Sequence, residues 1–253
     1  MIFLNIQVVF MVTFFGLVFG SFYNVVGIRV PKGESIVAPP SHCTNCGRRL
    51  AVWELVPVLS WLFLRGKCRT CKTSVSLVYP LMELSTGVFF ALAFLQVGLT
   101  WELLAGLVGI SVFVILSVSD LYYQRIPNVV LFPSIALLMI IRIFTHPLGI
   151  ATYLIGAVVG FGVLLAIAVI SKGGMGYGDV KLFFFVGLFT GLAGAILTLF
   201  LSSIFGTVIG LSMRGMGKLK PRQPFPFGPS IGLAAILVYL YGSQWLTLYF
   251  HLL

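Results

Sequence analysis

The sequence predicts an all-α polytopic membrane protein of about eight transmembrane helices, with a small cytoplasmic zinc-ribbon-like four-cysteine domain between the first and second. Three observations predict it. The 253 residues are 59% hydrophobic and only 9% charged, where an ordinary globular domain carries about 25% charged residues, and mean hydropathy is +1.10. Apolar stretches near the roughly 20 residues that a helix needs to cross a bilayer recur along most of the chain. The one long polar interruption, residues 23 to 80, holds all four cysteines.

The first element, residues 2 to 22, has no basic flank before it and no small-residue cleavage site, so it reads as a retained span and not a secretory signal. Residues 1–22 are thus expected to form the first transmembrane helix, 23–80 a cytoplasmic zinc-binding loop domain, and 81–253 the remaining transmembrane domain. Within the last, apolar segments fall at about 82 to 98, 103 to 119, 129 to 145, 150 to 171, 180 to 192, 193 to 213 and 230 to 250. The stretch 181 to 213 is too long for one span at 1.5 Å per residue. It divides into two short spans at GLAG, residues 191 to 194.

The sixteen Lys and Arg residues give the orientation. Eight lie between 23 and 78, followed by Arg125, then Lys172 and Lys181, then Arg214, Lys218, Lys220 and Arg222. These fall in or beside alternate connections, and Arg142 is the one exception. The positive-inside rule then turns the basic loops to the cytoplasm and both termini outward, which requires an even number of spans. The net charge of +10 thereby follows from topology and contact with anionic membrane lipids. Scattered basic residues without interleaved aromatics on a soluble face give no support to a nucleic-acid partner.

The cysteines form two C-x-x-C knuckles, Cys43/Cys46 and Cys68/Cys71, with 21 residues between them. Such a pattern in a reducing cytoplasm points to Zn²⁺ held by four thiolates in preference to two disulfides. A loop of this size has little core of its own, so a structural metal gives it a staple. His42 is a further candidate ligand, although four cysteines already close the shell.

Only six acidic residues exist: Glu34, Glu54, Glu83, Glu102, Asp120 and Asp179. A charged residue at mid-helix costs about 2.5 to 3.5 kcal/mol on insertion scales, so those near apolar runs point to function. Asp120 ends the third span and Asp179 begins the sixth, both at the cytoplasmic side. Two carboxylates meeting there cannot readily both ionise and would share a proton, the arrangement that activates water in aspartic proteases. A plainer reading stays open at this point, in which Asp179 caps its helix or pairs with Lys172 or Lys181, and Asp120 pairs with Arg125. Gly174, Gly176 and Gly178 weigh against a simple cap, because glycines permit backbone conformations closed to other residues. Glu83 opens the second span, and with Glu54 it is a candidate for substrate positioning or for plain structural support.

Two other functions are compatible with such a chain. One is a transporter that relays protons or binds a cation at the Asp120/Asp179 pair. The other is a non-catalytic scaffold of a secretion or pilus machine.

Taken together, the motifs closely resemble those of the type IV prepilin peptidases, bacterial members of the GxGD group of intramembrane aspartic proteases. Gly176-Tyr177-Gly178-Asp179-Val180-Lys181-Leu182 matches the family's G-x-G-D-x-K-L. Asp120 with Arg125-Ile126-Pro127-Asn128 matches its first catalytic aspartate and the downstream I-P-N. Gly20-Ser21-Phe22-Tyr23-Asn24-Val25-Val26 with Arg29 and Pro31, the two C-x-x-C pairs, Tyr79-Pro80 with Glu83, and Pro226-Phe227-Gly228-Pro229 follow the same template in order. Leu55 stands where the family often has Asn. The resemblance implies cytoplasmic-side removal of the basic leader from prepilin or pseudopilin partners in a bacterial inner membrane. Asp120 and Asp179 would be catalytic, with Gly176, Gly178 and Lys181 in the active-site loop. It further implies methylation of the new N-terminus with S-adenosylmethionine.

Overall fold

A computed structural model describes residues 2–172, 174–216 and 225–251. Lys218, Lys220 and Arg222, counted above in the orientation argument, lie outside the described residues. The described chain is helical: α1 (Ile2–Arg29), α2 (Leu59–Phe63), α3 (Val78–Val97), α4 (Trp101–Tyr123), α5 (Asn128–Phe144), α6 (Ile150–Ile170), α7 (Tyr177–Gly215) and α8 (Gly228–His251). Only two isolated antiparallel bridges, His42 with Arg49 and Lys67 with Ser74, represent β structure among the described residues.

Six of these helices, and not eight, are long and apolar enough to cross a membrane. The difference has two physical sources. The segment expected at 129 to 145 becomes α5, whose 17 residues give it a length of only about 25 Å. The pair expected at 180 to 192 and 193 to 213 becomes the single 39-residue α7, interrupted at Gly191, where φ is 75° and ψ is −178°. Only glycine adopts that backbone without strain. The interruption is a reversal of direction. A methyl group added at Gly160 would lie 3.1 Å from the Phe183 carbonyl oxygen and 3.8 Å from Ala195 Cβ, so those two residues approach within about 7 Å. In one continuous helix they would be separated by about 18 Å. α7 therefore folds back on itself at the first residue of the GLAG joint.

The other boundaries follow local chemistry. α1 continues past the expected residue 22 to Arg29 and ends where Pro31 opens a short 3-10 turn. Gly98, with φ of 65°, closes α3. Gln124 in the left-handed region closes α4, its N–H donating to the Asp120 carbonyl.

Packing centres on α4, α7 and α8. The Phe113 ring meets Phe185 and Phe189 edge-on at 5.4 and 5.5 Å, and Phe189 stacks on Tyr239 at 4.5 Å. Close packing of this kind matters because lipid tails are as apolar as side chains and supply no hydrophobic force between helices.

Beside this cluster lies a buried charge. Arg142, only 2% exposed, donates from Nη1 to Glu102 at 2.7 Å, from Nε to the Leu188 carbonyl at 3.0 Å and from Nη2 to the Phe189 carbonyl at 2.6 Å. Its guanidinium lies 4.1 Å from the Tyr153 ring centre, and Thr145 Oγ1 donates to the same Glu102 oxygen at 2.7 Å. The two carbonyls precede the Gly191 break, which removes the helical N–H groups that would have bonded them. Arg142 thus caps the first half of α7. Replacing Arg142 with Met is expected to lower stability by about 3–5 kcal/mol, because Glu102 and both carbonyls stay buried without partners. Denaturant unfolding in detergent measures this, and adding Glu102→Gln should restore part of the loss.

Candidate active site and four-cysteine cluster

Asp120 is the buried twentieth residue of the 23-residue α4, one turn before its C-terminal end. Its Oδ2 accepts the Gly228 backbone N–H at 2.7 Å, across 108 residues of sequence. Gly228 opens α8, and a methyl group there would lie 2.9 Å from that oxygen, so glycine lets the amide approach. Asp179 is the third residue of α7. Gly176 holds the N-cap position and the Asp179 N–H donates to its carbonyl at 3.1 Å, so Asp179 does not cap the helix with its side chain. A carboxylate in the first turn of a helix faces the positive end of the dipole.

Both aspartates line one cavity of about 490 Å³. Its walls come from Val30 and Pro31 after α1, from Gln124 to Asn128 after α4, and from Gly176 to Asp179 with Lys181 at the start of α7. The I-P-N and G-x-G-D-x-K-L segments interlock here: Lys181 Nζ donates to Asn128 Oδ1 at 3.2 Å. The Ser119 hydroxyl donates to the Arg125 carbonyl at 2.6 Å, which holds the turn after Asp120. Among the described residues the ion pairs are Lys32–Glu34, Arg48–Glu54 and Arg142–Glu102. Neither aspartate is a counter-charge for Arg125, Lys172 or Lys181.

The glycines of the loop serve a different purpose from the one expected. Gly174, Gly176 and Gly178 are not among the positive-φ residues. The constraint is space. A methyl group on Gly178 would lie 3.2 Å from Ile126 Cβ, and one on Gly176 would lie 3.4 Å from Asp179 Oδ2. Gly178 lets the two walls of the cavity close on each other, while the Gly176 contact is an ordinary one within its own wall.

The remaining acidic candidates lie outside this cavity. The Glu83 carboxylate accepts the Val58 N–H at 2.7 Å, tying α3 to the loop. Glu54 accepts from Arg48 Nη2 at 2.6 Å and from the Ala51 N–H at 2.8 Å, and the Arg48 guanidinium holds its carboxyl below the usual range. Both carboxylates are engaged in holding the loop. Sequence reasoning did not find a role for Gly228 or the Glu102–Arg142 pair. The signals were the late P-F-G-P run and the one basic residue that broke the charge alternation.

The four cysteine sulfurs all lie within 4.8 Å of one another, and Cys43 and Cys71 Sγ are 3.7 Å apart. All four are free thiols. A tetrahedral ion with metal–sulfur bonds of about 2.3 Å separates its ligand sulfurs by about 3.8 Å, so the cluster fits one such ion. The knuckles repeat one design. The Cys43 N–H donates to the Arg48 carbonyl and the Gly47 N–H to the Cys43 carbonyl, and Cys68 and Lys72 do the same with Thr73 and Cys68. Gly47 and Lys72 both take positive φ at the equivalent turn. The hydrogen bond with Thr73 lowers the Cys71 thiol to about 5, whereas Cys46 in the same cluster is pushed up to about 11. His42 is exposed and its Nδ1 lies 3.0 Å from the Pro40 carbonyl, outside the cluster.

Comparison with known proteins matches residues 14–97 to the bacterial peptidase A24 N-terminal domain and residues 107–211 to the type IV leader peptidase family. The chain is 40% identical over 235 residues to a prepilin leader peptidase/N-methyltransferase of Bacillus subtilis (strain 168), covering 93% of this chain and 95% of that protein. It is 34% identical over 257 residues to one of the same name from Stutzerimonas stutzeri, covering 90% and 89%. Against that of Neisseria gonorrhoeae the identity is 31% over 253 residues, covering 88% and 87%. No solved structure matches the chain.

The cysteine geometry predicts one tightly bound metal ion per chain. Elemental analysis of the purified protein should find it, and Cys68→Ser should lose it while exposing residues 43–71 to protease.

Proposed function

The chain belongs to the type IV leader peptidase family, and on that premise we propose that it is a membrane aspartic endopeptidase acting on prepilin or pseudopilin-like proteins. It removes their basic leader on the cytoplasmic side, with the N-methyltransferase activity named for its relatives as its second function. The observation that carries this reading is the pair Asp120 and Asp179 in one cavity, at the side of the bundle where the basic loops gather. The transmembrane part is proposed to make eight passes, counting α5 and each half of α7, with both termini outside. The divisions at residues 22 and 80 separate the first span, the loop domain and the peptidase domain.

The chemistry needs no covalent intermediate. One carboxylate takes a proton from water while the other, protonated, polarises the scissile carbonyl. Asp120, whose Oδ2 already accepts the Gly228 amide, is the better seat for the negative charge, and Asp179 then holds the shared proton. Lys181, with Gly176 and Gly178, keeps the loop closed against Asn128 and Ile126. The ion in the cysteine cluster is proposed to be Zn²⁺ with a structural role. Glu54 and Glu83 act through the loop that they hold. S-adenosylmethionine is the methyl donor that the relatives' name implies. The described residues form no evident cradle for it beside the cavity of Asp120 and Asp179.

Purified protein in detergent, given a prepilin-like substrate, tests the dyad. Asp120→Asn and Asp179→Asn should each lower the rate of leader removal by about 10²- to 10⁴-fold, the usual contribution of a general acid or base. Gly228→Ala should lower it as well by displacing Asp120. Full activity in either Asn variant would remove the assignment. Incubation with S-adenosylmethionine should leave the mature product one methyl group heavier, and an unchanged mass would remove the second activity alone.

A further inference from the structure

Two turns of the cysteine module expose apolar side chains at helical spacing. In the 3-10 turn Val52–Leu55 and the residue after it, Val52, Leu55 and Val56 are 86%, 42% and 41% exposed. In α2, Leu59, Leu62 and Phe63 are 51%, 56% and 81% exposed. The α2 set falls at i, i+3 and i+4 and so forms one face, and in the 3-10 turn Val52 and Leu55, three residues apart, lie on the same side. The opposite sides look inward: Glu54 is buried against Arg48, and Trp61 Nε1 donates to the Val75 carbonyl at 3.1 Å. Contiguous apolar surface of this kind marks an interaction site.

The depth of these turns follows from one hydrogen bond. α3 has 20 residues, which makes it about 30 Å long, the thickness of the hydrocarbon core. Its first residue, Val78, therefore lies near the membrane boundary. Glu83 is five residues further in, about 7 Å along the axis, and its carboxylate accepts the N–H of Val58, the residue before α2. α2 therefore begins close to the membrane boundary, at the end of α3 where Leu81 and Leu84, with Leu77 just before the helix, are exposed. An apolar face at that level meets lipid.

Charge points to the same partner. Arg49, Arg65, Lys67, Arg69 and Lys72 are exposed on this module, while its two acids, Glu34 and Glu54, already face Lys32 and Arg48. Exposed basic groups at a membrane surface attract anionic headgroups. We propose that the cysteine module is seated in the adjoining lipid leaflet, with its two apolar triplets among the acyl chains and its basic side chains on anionic headgroups. The zinc loop is then a membrane-anchored platform beside the cavity mouth and not a domain projecting into water.

The test uses the full chain carrying Phe63→p-benzoyl-phenylalanine, reconstituted in nanodiscs of mixed zwitterionic and anionic phospholipid. Metal content equal to that of the unsubstituted protein checks that the module is intact, and Leu62→p-benzoyl-phenylalanine provides a second position. After illumination, mass spectrometry should find phospholipid adducts at either position, with the anionic lipid enriched several-fold over its share of the disc. The same probe replacing the exposed Thr44, at the tip of the first knuckle, should take no lipid. Adducts that mirror the lipid mixture would overturn the headgroup contact. Adducts to a second copy of the chain, or none to lipid, would overturn the seating.

Discussion

In a protein interior no water is present to satisfy a bare backbone carbonyl, so a helix that breaks there must find a partner for each group it exposes. α7 breaks at Gly191, and Arg142 meets that demand for Leu188 and Phe189. The consequence reaches the other end of two helices. Glu102 stands at the start of α4 and Asp120 near its end, while the carbonyls held by Arg142 end the helical half that Asp179 begins. One buried cation thus joins the far ends of both helices that present Asp120 and Asp179, with Tyr153 of α6 packed on it and Tyr239 of α8 bonded to the Glu102 carbonyl. Charge in such a place is expensive unless fully bonded. Here each nitrogen of the guanidinium donates to an oxygen.

The near ends are joined by different chemistry. Close approach at Gly178 and Gly228 replaces ion pairing, and a backbone amide, not a basic side chain, meets Asp120. This leaves the carboxylates facing a cavity whose polar walls come from three separated stretches of sequence. A peptide extended across that cavity would meet both acids without a competing salt bridge. The basic loop above it is stiffened by two buried carboxylates: Glu54 holds the first knuckle to the 3-10 turn that follows it, and Glu83 holds the loop to α3.

Much of this was legible in the amino-acid sequence, because hydropathy and the placement of Lys and Arg are one-dimensional signals with a direct physical meaning. The helices lie within a few residues of the apolar runs, and GLAG marked the point where α7 reverses. What was not legible depended on contacts between distant residues. The glycines of GMGYGDVKL suggested unusual backbone angles, but the use of Gly178 is to admit Ile126. Arg142 stood out as the exception to the charge alternation, yet nothing local named Glu102 as its partner. Span number was read from segment length and from the alternation of basic loops, neither of which could foresee that two short helices would run on as one through a single glycine.

In the proposed reaction water is the nucleophile, activated by Asp120 and Asp179 together. Cleavage run in ¹⁸O-labelled water with hydroxylamine present tests that claim most directly. The released leader should carry one solvent oxygen in its new terminal carboxylate and no hydroxamate, whereas a leader hydroxamate would reveal an acyl-enzyme and contradict direct attack by water.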